Sequence, residues 1–399
     1  MKKAISFILI LCLALTLFAN GAKEEAKSSA TKIGFVVIND ESDQGYTWNF
    51  MNGMDAAIAK LKADGYNVEL VVKRQTPDNN NQIIYDHNAE LAEEGCKIIF
   101  NNSYGFEPSM LEVAALYPNI KFVSLTNCGS QVDDNPNTYN AFAAIYEGRY
   151  LAGVAAGMKL NQLLAEGKIK APTVGYVGAF SFAEVISGMS AYFLGIRSVC
   201  PAATMKVYFV GTWGDATLEE AAAKALIDQG CVMISQHSDT TSPALAAQKA
   251  GVFHTGYNTD MTHAAPDASI ISCRINWEPY FYNFIKNFMD GKENPSDYTG
   301  TLAEGAVAIT ALNTKIAAPG TAAKLAEVEA DLKAGKIKVF DLSTFTIGGK
   351  TGTNDVMYDS FAAVSGNATY GGEFHESSLQ SAPYFVGQID GIEWLNAAY

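Results

Sequence analysis

Lys32-Ile33-Gly34-Phe35-Val36-Val37-Ile38-Asn39-Asp40-Glu41-Ser42-Asp43-Gln44-Gly45-Tyr46-Thr47-Trp48-Asn49-Phe50 carries the pattern that decides the fold. From Ile33 to Ile38 the chain is almost continuously apolar. It then turns polar as far as Gly45, and a helical stripe through Phe50, Met54, Ile58 and Leu61 runs on toward Gly65. This is one strand, one loop and one helix. The unit recurs with a strand over residues 68–72 and a helix carrying Ile83, Ile84 and Leu91, stopped at Gly95. It recurs again with Ile98-Ile99-Phe100 before a helix around residues 111–116, and Phe122-Val123-Ser124-Leu125 reads as a fourth strand. Strands that are apolar throughout and alternate with helices predict a parallel sheet with helices on both faces, an α/β fold.

Past a turn-rich stretch over residues 127–138, a helix of small residues over about 145–164 opens a second round. Its strands read Val174-Gly175-Tyr176-Val177, Val207-Tyr208-Phe209-Val210, Val232-Met233-Ile234-Ser235 and Val252-Phe253-His254, separated by helices around 185–198, 218–229 and 244–250. Two similar rounds predict two lobes of one architecture. A strand at 269–273, a helix at 280–289 and an apolar segment at 305–312 fit either sheet. The last regular helix spans about 321–333, and residues 340–399 lack a clear period. We assign residues 32–138 and 268–302 to lobe 1, and 139–267 and 303–342 to lobe 2. Residues 343–399 form a C-terminal extension, placed on lobe 2.

Before the first strand, Met1-Lys2-Lys3, the apolar run 4–18 and Ala19-Asn20-Gly21-Ala22 have the form of a signal peptide (residues 1–21) followed by a polar linker (22–31). The run is too short to span a bilayer comfortably. Cys12 lies inside it and not at its end, where a lipid-bearing cysteine belongs. The expectation is an exported protein, periplasmic or at the cell surface, with membrane association left open.

The remaining chain is long enough for two domains. Loss of Lys2 and Lys3, two positive charges, takes the net charge from −14 to −16, and no Lys/Arg cluster offers the footprint a nucleic acid needs. The other cysteines (Cys96, Cys128, Cys200, Cys231, Cys273) are odd in number and dispersed, which argues against a disulfide framework. No Cys-x-x-Cys pair and no i, i+4 histidines suggest zinc. We expect no metal and no cofactor. Enzyme motifs are equally thin. Gly348-Gly349-Lys350-Thr351 matches the end of a P-loop, but Thr344 stands where the leading glycine is required. Lys350-Thr351-Gly352 has a Ser-x-x-Lys counterpart only at Ser29 to Lys32, in the linker.

In an open parallel sheet, ligands bind beyond the carboxyl ends of the strands. In the loop after the first strand, Tyr46 or Trp48 supplies a flat face and Asp43 an acceptor, with Gly45 and Thr47 at a helix N-terminus; the competing reading is a helix cap with its apolar staple. The loop after the third strand offers Ser103 and Tyr104. In the second round, Trp213 sits in Gly211-Thr212-Trp213-Gly214-Asp215, and Asp239 in His237-Ser238-Asp239-Thr240-Thr241. His237 reads as structural, since no nucleophile arrangement surrounds it. Asn258 and Asp260 offer amide and carboxylate groups, or else cap a turn. Tyr280, Phe281 and Tyr282 read as core, which leaves Trp277 and Asn276, just before that helix, as the candidates there. An aromatic from each lobe stacking on one planar ring would contribute roughly 1–3 kcal/mol per face.

The segments Asp43-Gln44-Gly45-Tyr46-Thr47-Trp48, Ser103-Tyr104-Gly105-Phe106, Tyr146-Glu147-Gly148-Arg149-Tyr150-Leu151-Ala152-Gly153, Leu226-Ile227-Asp228-Gln229-Gly230, Gln236-His237-Ser238-Asp239 and Gly256-Tyr257-Asn258-Thr259-Asp260-Met261 follow one another in an order that resembles the basic membrane protein family of substrate-binding proteins. The resemblance spans roughly residues 32–312. It implies a two-lobed periplasmic-binding-protein fold of type I with a three-segment hinge, serving an ABC importer. It also implies a purine base or nucleoside as ligand, an ABC permease as membrane partner and a monomer. Tyr46 stands where the family has a stacking aromatic, and Trp213 resembles the opposing one. Asn258 replaces an Asp that binds ribose in many members, Pro108 a frequent acidic residue with Glu107 beside it, and Ala303 a common Lys. These departures favour base over ribose. The alternatives kept are a sensory solute receptor without transport and a nucleoside-cleaving enzyme; we expect no enzymatic activity.

Overall fold

A computed structural model of the protein describes residues 29–126, 135–359 and 364–396. The expected signal peptide (1–21), most of the polar linker (22–31) and most of the turn-rich stretch at 127–138 lie outside the described residues. No helix among the described residues is long and apolar enough to cross a membrane.

The first sheet contains β1 (Thr31–Val36), β2 (Val68–Lys73), β3 (Ile98–Asn101), β4 (Lys121–Ser124), β5 (Thr138–Ala143) and β11 (Asp297–Gly300) in the order β11-β5-β4-β3-β1-β2. All its pairings are parallel. Because side chains alternate across a strand, its apolar strands feed two faces. Phe35 and Phe100 point to one, under α1 (Tyr46–Ala63) and the helix Glu278–Met289. Val36, Ile99 and Phe122 point to the other, under α2 (Asn81–Glu93) and α3 (Glu107–Leu116).

The second sheet has the order β12-β10-β9-β8-β6-β7-β15, built from β6 (Thr173–Gly178), β7 (Thr204–Phe209), β8 (Met233–His237), β9 (Phe253–Tyr257), β10 (Ser269–Ile275), β12 (Val307–Ile309) and β15 (Ile392–Trp394). Only the β10–β12 pairing is antiparallel. On one face lie α4 (Ile145–Ala165) and α5 (Ala183–Val199), on the other α6 (Ala216–Asp228) and α7 (Ser242–Ala250). The helices α4 and α5 meet backbone to backbone. A Cβ on Gly153 would fall 2.1 Å from the Tyr192 carbonyl oxygen, and one on Gly195 would fall 2.1 Å from that of Tyr150.

The chain passes between the sheets three times: at Ala144 after β5, at Asn276 after β10, and over residues 301–306 between β11 and β12. The crossings are bonded to one another, Ala144 N to Gly300 O (2.8 Å) and Asn276 N to Ala306 O (2.7 Å). The lobe boundaries therefore differ from those expected. Residues 138–143 belong to the first sheet and residues 269–275 to the second, because Ser269 and Cys273 are in register with His254 and Tyr257 of β9. An apolar strand fits either sheet by composition; pairing with distant residues makes the choice.

The extension touches both lobes. Its strand β15 pairs with β7. Ser381 accepts from Asn140 Nδ2 (2.8 Å), and its own N–H donates to Asp297 (2.7 Å) at the base of the first sheet. Glu376 accepts from Ser187 Oγ of α5 (2.7 Å), and burial pushes its carboxyl up to about 7.

The α4–α5 contact leaves no room for a side chain. Gly153→Val should destabilise the protein by about 1–3 kcal/mol, read as a lower urea midpoint; an unchanged midpoint would contradict this packing.

Candidate functional site

The carboxyl ends of both sheets face each other across the hinge, and one cavity opens between them. It is lined by Ile38, Tyr46, Ser103, Tyr104 and Thr126 from lobe 1 and by Glu184, Trp213, His237, Asp239 and Tyr257 from lobe 2. The cavity volume is only about 10 Å³. The walls are close to contact, so a planar ring enters only if the lobes separate.

On the lobe 1 side, Asp43 fixes the start of α1. Its carboxylate accepts N–H groups from Gly45 (3.0 Å), Thr47 (2.8 Å) and Trp48 (3.1 Å), the work of a helix cap. Burial raises its pKa, and those three bonds oppose the rise. Tyr46, the next residue to enter the cavity, donates its phenol O–H to Asn102 O (2.5 Å) and sets its ring at 70° to Phe50. Burial, reinforced by the negative charge of Glu184, holds that phenol well above its ordinary pKa and therefore neutral. Ser103 donates to Asp78 (2.6 Å). The half-exposed ring of Tyr104 stacks on Phe182 of the other lobe at 5.3 Å and 24°.

On the lobe 2 side, Phe182 stacks on Phe180 (4.9 Å), whose ring meets Trp213 edge-on (5.2 Å, 66°). An aromatic wall thus runs from Trp213 to Tyr104. Asp239 is held from two sides. Its N–H donates to Trp213 O (2.9 Å), and its neighbours Ser238 and Thr240 both donate hydroxyl protons to Glu219 of α6 (2.8 Å each). Burial pushes Glu219 up to about 7. Asp239 Oδ2 is buried without a hydrogen-bond partner among the described residues. Desolvation, then the charges of Asp43, Glu219 and Glu184, raise its pKa well above the usual carboxylate range. Across the cleft, Gly45 is packed so tightly that a Cβ there would lie 1.8 Å from the Asp239 carbonyl oxygen.

The structure brings together Tyr46, Ser103, Tyr104, Trp213 and Asp239 of the expected site, with Gly45 against the back of Asp239. The others do not line the cavity. Asp43 is the cap just described, and Thr47 is buried beside it. Asn258 ends β9 with φ of 65°, the left-handed region that asparagine tolerates, and its N–H bonds Cys273 O (2.9 Å). Asp260 caps the short turn Met261–His263 through Thr262 N (2.9 Å) and lines a separate groove with Glu41, Gln44 and Trp48. Trp277 is a core residue of lobe 1, stacked on Phe50 (4.4 Å, 22°) and Phe281 (5.8 Å, 26°), because the chain turns into that core directly after the crossing at Asn276.

Sequence reasoning passed over Thr126, Glu184 and Tyr257, and gave His237 a structural role. Thr126, His237 and Tyr257 lie at or just past the carboxyl end of a strand, so the same positional rule, applied to every strand, would have found them; Glu184 lies further on, in the first turn of α5.

A family model described as ABC transporter substrate-binding protein, PnrA-like, matches residues 30–339. A purine-binding protein of Brucella abortus (strain 2308) is 31% identical over 321 residues, which cover 77% of this chain and 83% of that one. A protein of Haloferax volcanii with the provisional name of an ABC transporter glucose-binding protein is 29% identical over 280 residues, covering 70% of this chain and 66% of that one. Among solved structures, an ABC transporter solute-binding protein of Aeropyrum pernix K1 superposes with a TM-score of 0.65 at 15% identity, covering 78% of this chain and 93% of that one.

A carboxylate whose folded pKa is raised favours folding most below its unfolded pKa, and that contribution is lost as pH rises through the folded value. Asp239→Asn should therefore change the stability of the ligand-free protein little at pH 4 and stabilise it by about 1–3 kcal/mol at pH 8. Urea unfolding at both pH values measures this; an equal effect at both would contradict a desolvated Asp239.

Proposed function

We propose, for a chain that belongs to the PnrA-like family of ABC transporter substrate-binding proteins, that it is an exported receptor that closes its lobes on a purine base or nucleoside and presents the closed form to an ABC permease. The observation that carries the reading is the composition of the cleft. Tyr46 and Tyr104 from one lobe face Trp213 from the other, and the same cavity holds the unpartnered Asp239 carboxylate oxygen. Aromatic faces suit a flat heterocycle. A carboxylate accepts hydrogen bonds only, so it suits a ring edge bearing N–H groups. The name of the Brucella relative agrees with this reading.

The name of the Haloferax relative favours a second one, because aromatic rings beside carboxylates also suit sugars. Either ligand is bound without turnover. The lobes close because contacts from both sides are completed only in the closed form.

Calorimetric titration of protein refolded from denaturant, to strip bound ligand, with adenine, guanine, adenosine, guanosine, inosine, ribose, thiamine and glucose tests the proposal. Tight binding of a purine with no change in the ligand is expected. Tyr46→Ala and Trp213→Ala should each weaken it by about 1–3 kcal/mol, some 5- to 150-fold, with the fold intact. Binding of glucose alone, or unchanged purine affinity in both variants, would overturn it.

A further inference from the structure

Behind the cavity wall sits an arginine with little to hold it. Arg149, on α4, is fully buried. Its Nη1 donates to Gln236 O (2.8 Å), and its guanidinium lies 3.6 Å from the centre of the Tyr257 ring. Its Nε and Nη2 make no hydrogen bond among the described residues. A guanidinium stays charged in any protein environment, so burial with one hydrogen bond among the described residues and two ring faces, those of Tyr257 and, at 5.9 Å, Tyr176, is costly. Two steps away is Glu184, in the first turn of α5. Its Oε1 is 3.4 Å from His237 Nε2, and its Oε2 accepts the hydroxyl of Thr126 from the opposite lobe (3.0 Å).

His237 stands between them. Its burial, together with the charge of Arg149, lowers its pKa to about 4, so the ring is neutral at physiological pH. A neutral imidazole carries one N–H. Facing a carboxylate, Nε2 must carry it, and Nδ1 is left as an acceptor. That atom and Arg149 Nε border the same glycine: a Cβ on Gly188 would lie 3.2 Å from His237 Nδ1 and 3.3 Å from Arg149 Nε. The acceptor and the donor thus line the same side of α5 at Gly188, and neither has a hydrogen-bond partner among the described residues.

We propose that Arg149, His237 and Glu184 form a buried relay in which Arg149 fixes the Nε2–H tautomer of His237, and His237 in turn orients Glu184 as the acceptor for a ligand ring N–H. Glu184 is then a specificity-determining residue, and Arg149 and His237 are positioning residues. The positive guanidinium balances the carboxylate without taking its acceptor atoms, which stay aimed at the cleft. Thr126 holds one of them in the closed protein, and a ligand N–H joins or replaces it. The inference rests on the purine reading for its ligand but not for its tautomer.

The charged and titratable groups around His237 are Arg149 of α4, Glu184 of α5 and Tyr257 of β9, with Tyr176 of β6 and Cys273 of β10 behind Arg149. Nitrogen NMR of histidine-labelled, ligand-free protein, with His237 assigned by its loss in His237→Gln, tests the relay directly. The expected result is an Nε2–H ring that takes up no proton above pH 5. In Arg149→Met it should protonate at least one pH unit higher, and Arg149→Lys should restore most of the difference. Should Arg149→Met fail to fold, Gly188→Ala places a methyl against both nitrogens, 3.2 Å from His237 Nδ1 and 3.3 Å from Arg149 Nε, on a helix that favours alanine. It should lower adenine affinity severalfold without lowering the melting temperature. Glu184→Gln should lower adenine affinity at least tenfold. An Nδ1–H ring, or a His237 that titrates near 6.5 in both wild type and Arg149→Met, would overturn the relay. Wild-type affinity in Glu184→Gln would overturn its ligand role. A wild-type protein that binds no purine would overturn the purine reading and the ligand half of this inference, while the NMR result decides the relay.

Discussion

Two carboxylates withdrawn from water between the lobes are the constraint on which the rest of the structure turns. Removing a carboxylate from solvent costs several kcal/mol unless donors replace the water. Glu184 has His237 and Thr126. Asp239 has a buried oxygen with nothing on it. The protein tolerates that arrangement because the loop around Asp239 is fastened elsewhere, by Ser238 and Thr240 on Glu219 and by the backbone bond to Trp213. In the proposed closure, Asp239 opposes an empty closed cleft, and a donor-bearing ring relieves that opposition. A ligand shifts an equilibrium only by its difference in affinity for the two states, and here that difference resides in groups from both lobes.

The scaffold makes such a difference usable. Lobe 2 is stiffened where α4 and α5 touch through Gly153 and Gly195, and lobe 1 has a packed aromatic core in which Trp277, Phe50, Phe281, Phe35 and Phe100 interlock. In the proposed closure, the motion falls to the crossings at Ala144, at Asn276 and over residues 301–306. Gly45 sets how close the lobes can come, since the Asp239 carbonyl occupies the place of a side chain. The C-terminal extension, beyond the part matched by the family, bonds the first sheet through Ser381 and α5 through Glu376, so it spans both lobes.

Much of this was legible in the chain. Each strand and helix of the first round was marked by an apolar run, a polar loop and a helical stripe, because local periodicity is what a two-face-covered parallel sheet imposes. The sheet to which residues 138–143 and 269–275 belong was not legible, since strand partnership is decided by residues far away in sequence. In the site, Tyr46, Tyr104, Trp213 and Asp239 were found as conspicuous residues after strands. Asp43 and Asp260 were conspicuous for the same reason, yet cap helical turns. Trp277 was a candidate from its place just before a helix, but one turn of chain carries it into the lobe 1 core. Glu184 was missed because it lies inside the first turn of α5 and reads as an ordinary helix-starting acid. Arg149 lies within a helix of small residues, where nothing local distinguishes a buried guanidinium from a solvated one.

A crystal structure of the protein with adenine bound most directly tests the claim that the interlobe cleft is built for an aromatic ring bearing N–H groups. The account expects the ring between Tyr46 and Trp213, with N–H groups within hydrogen-bond distance of Asp239 or Glu184 and the lobes closed around it. Adenine seated in the outer groove by Trp48 and His263, or an open cleft with no ring in it, would contradict the account.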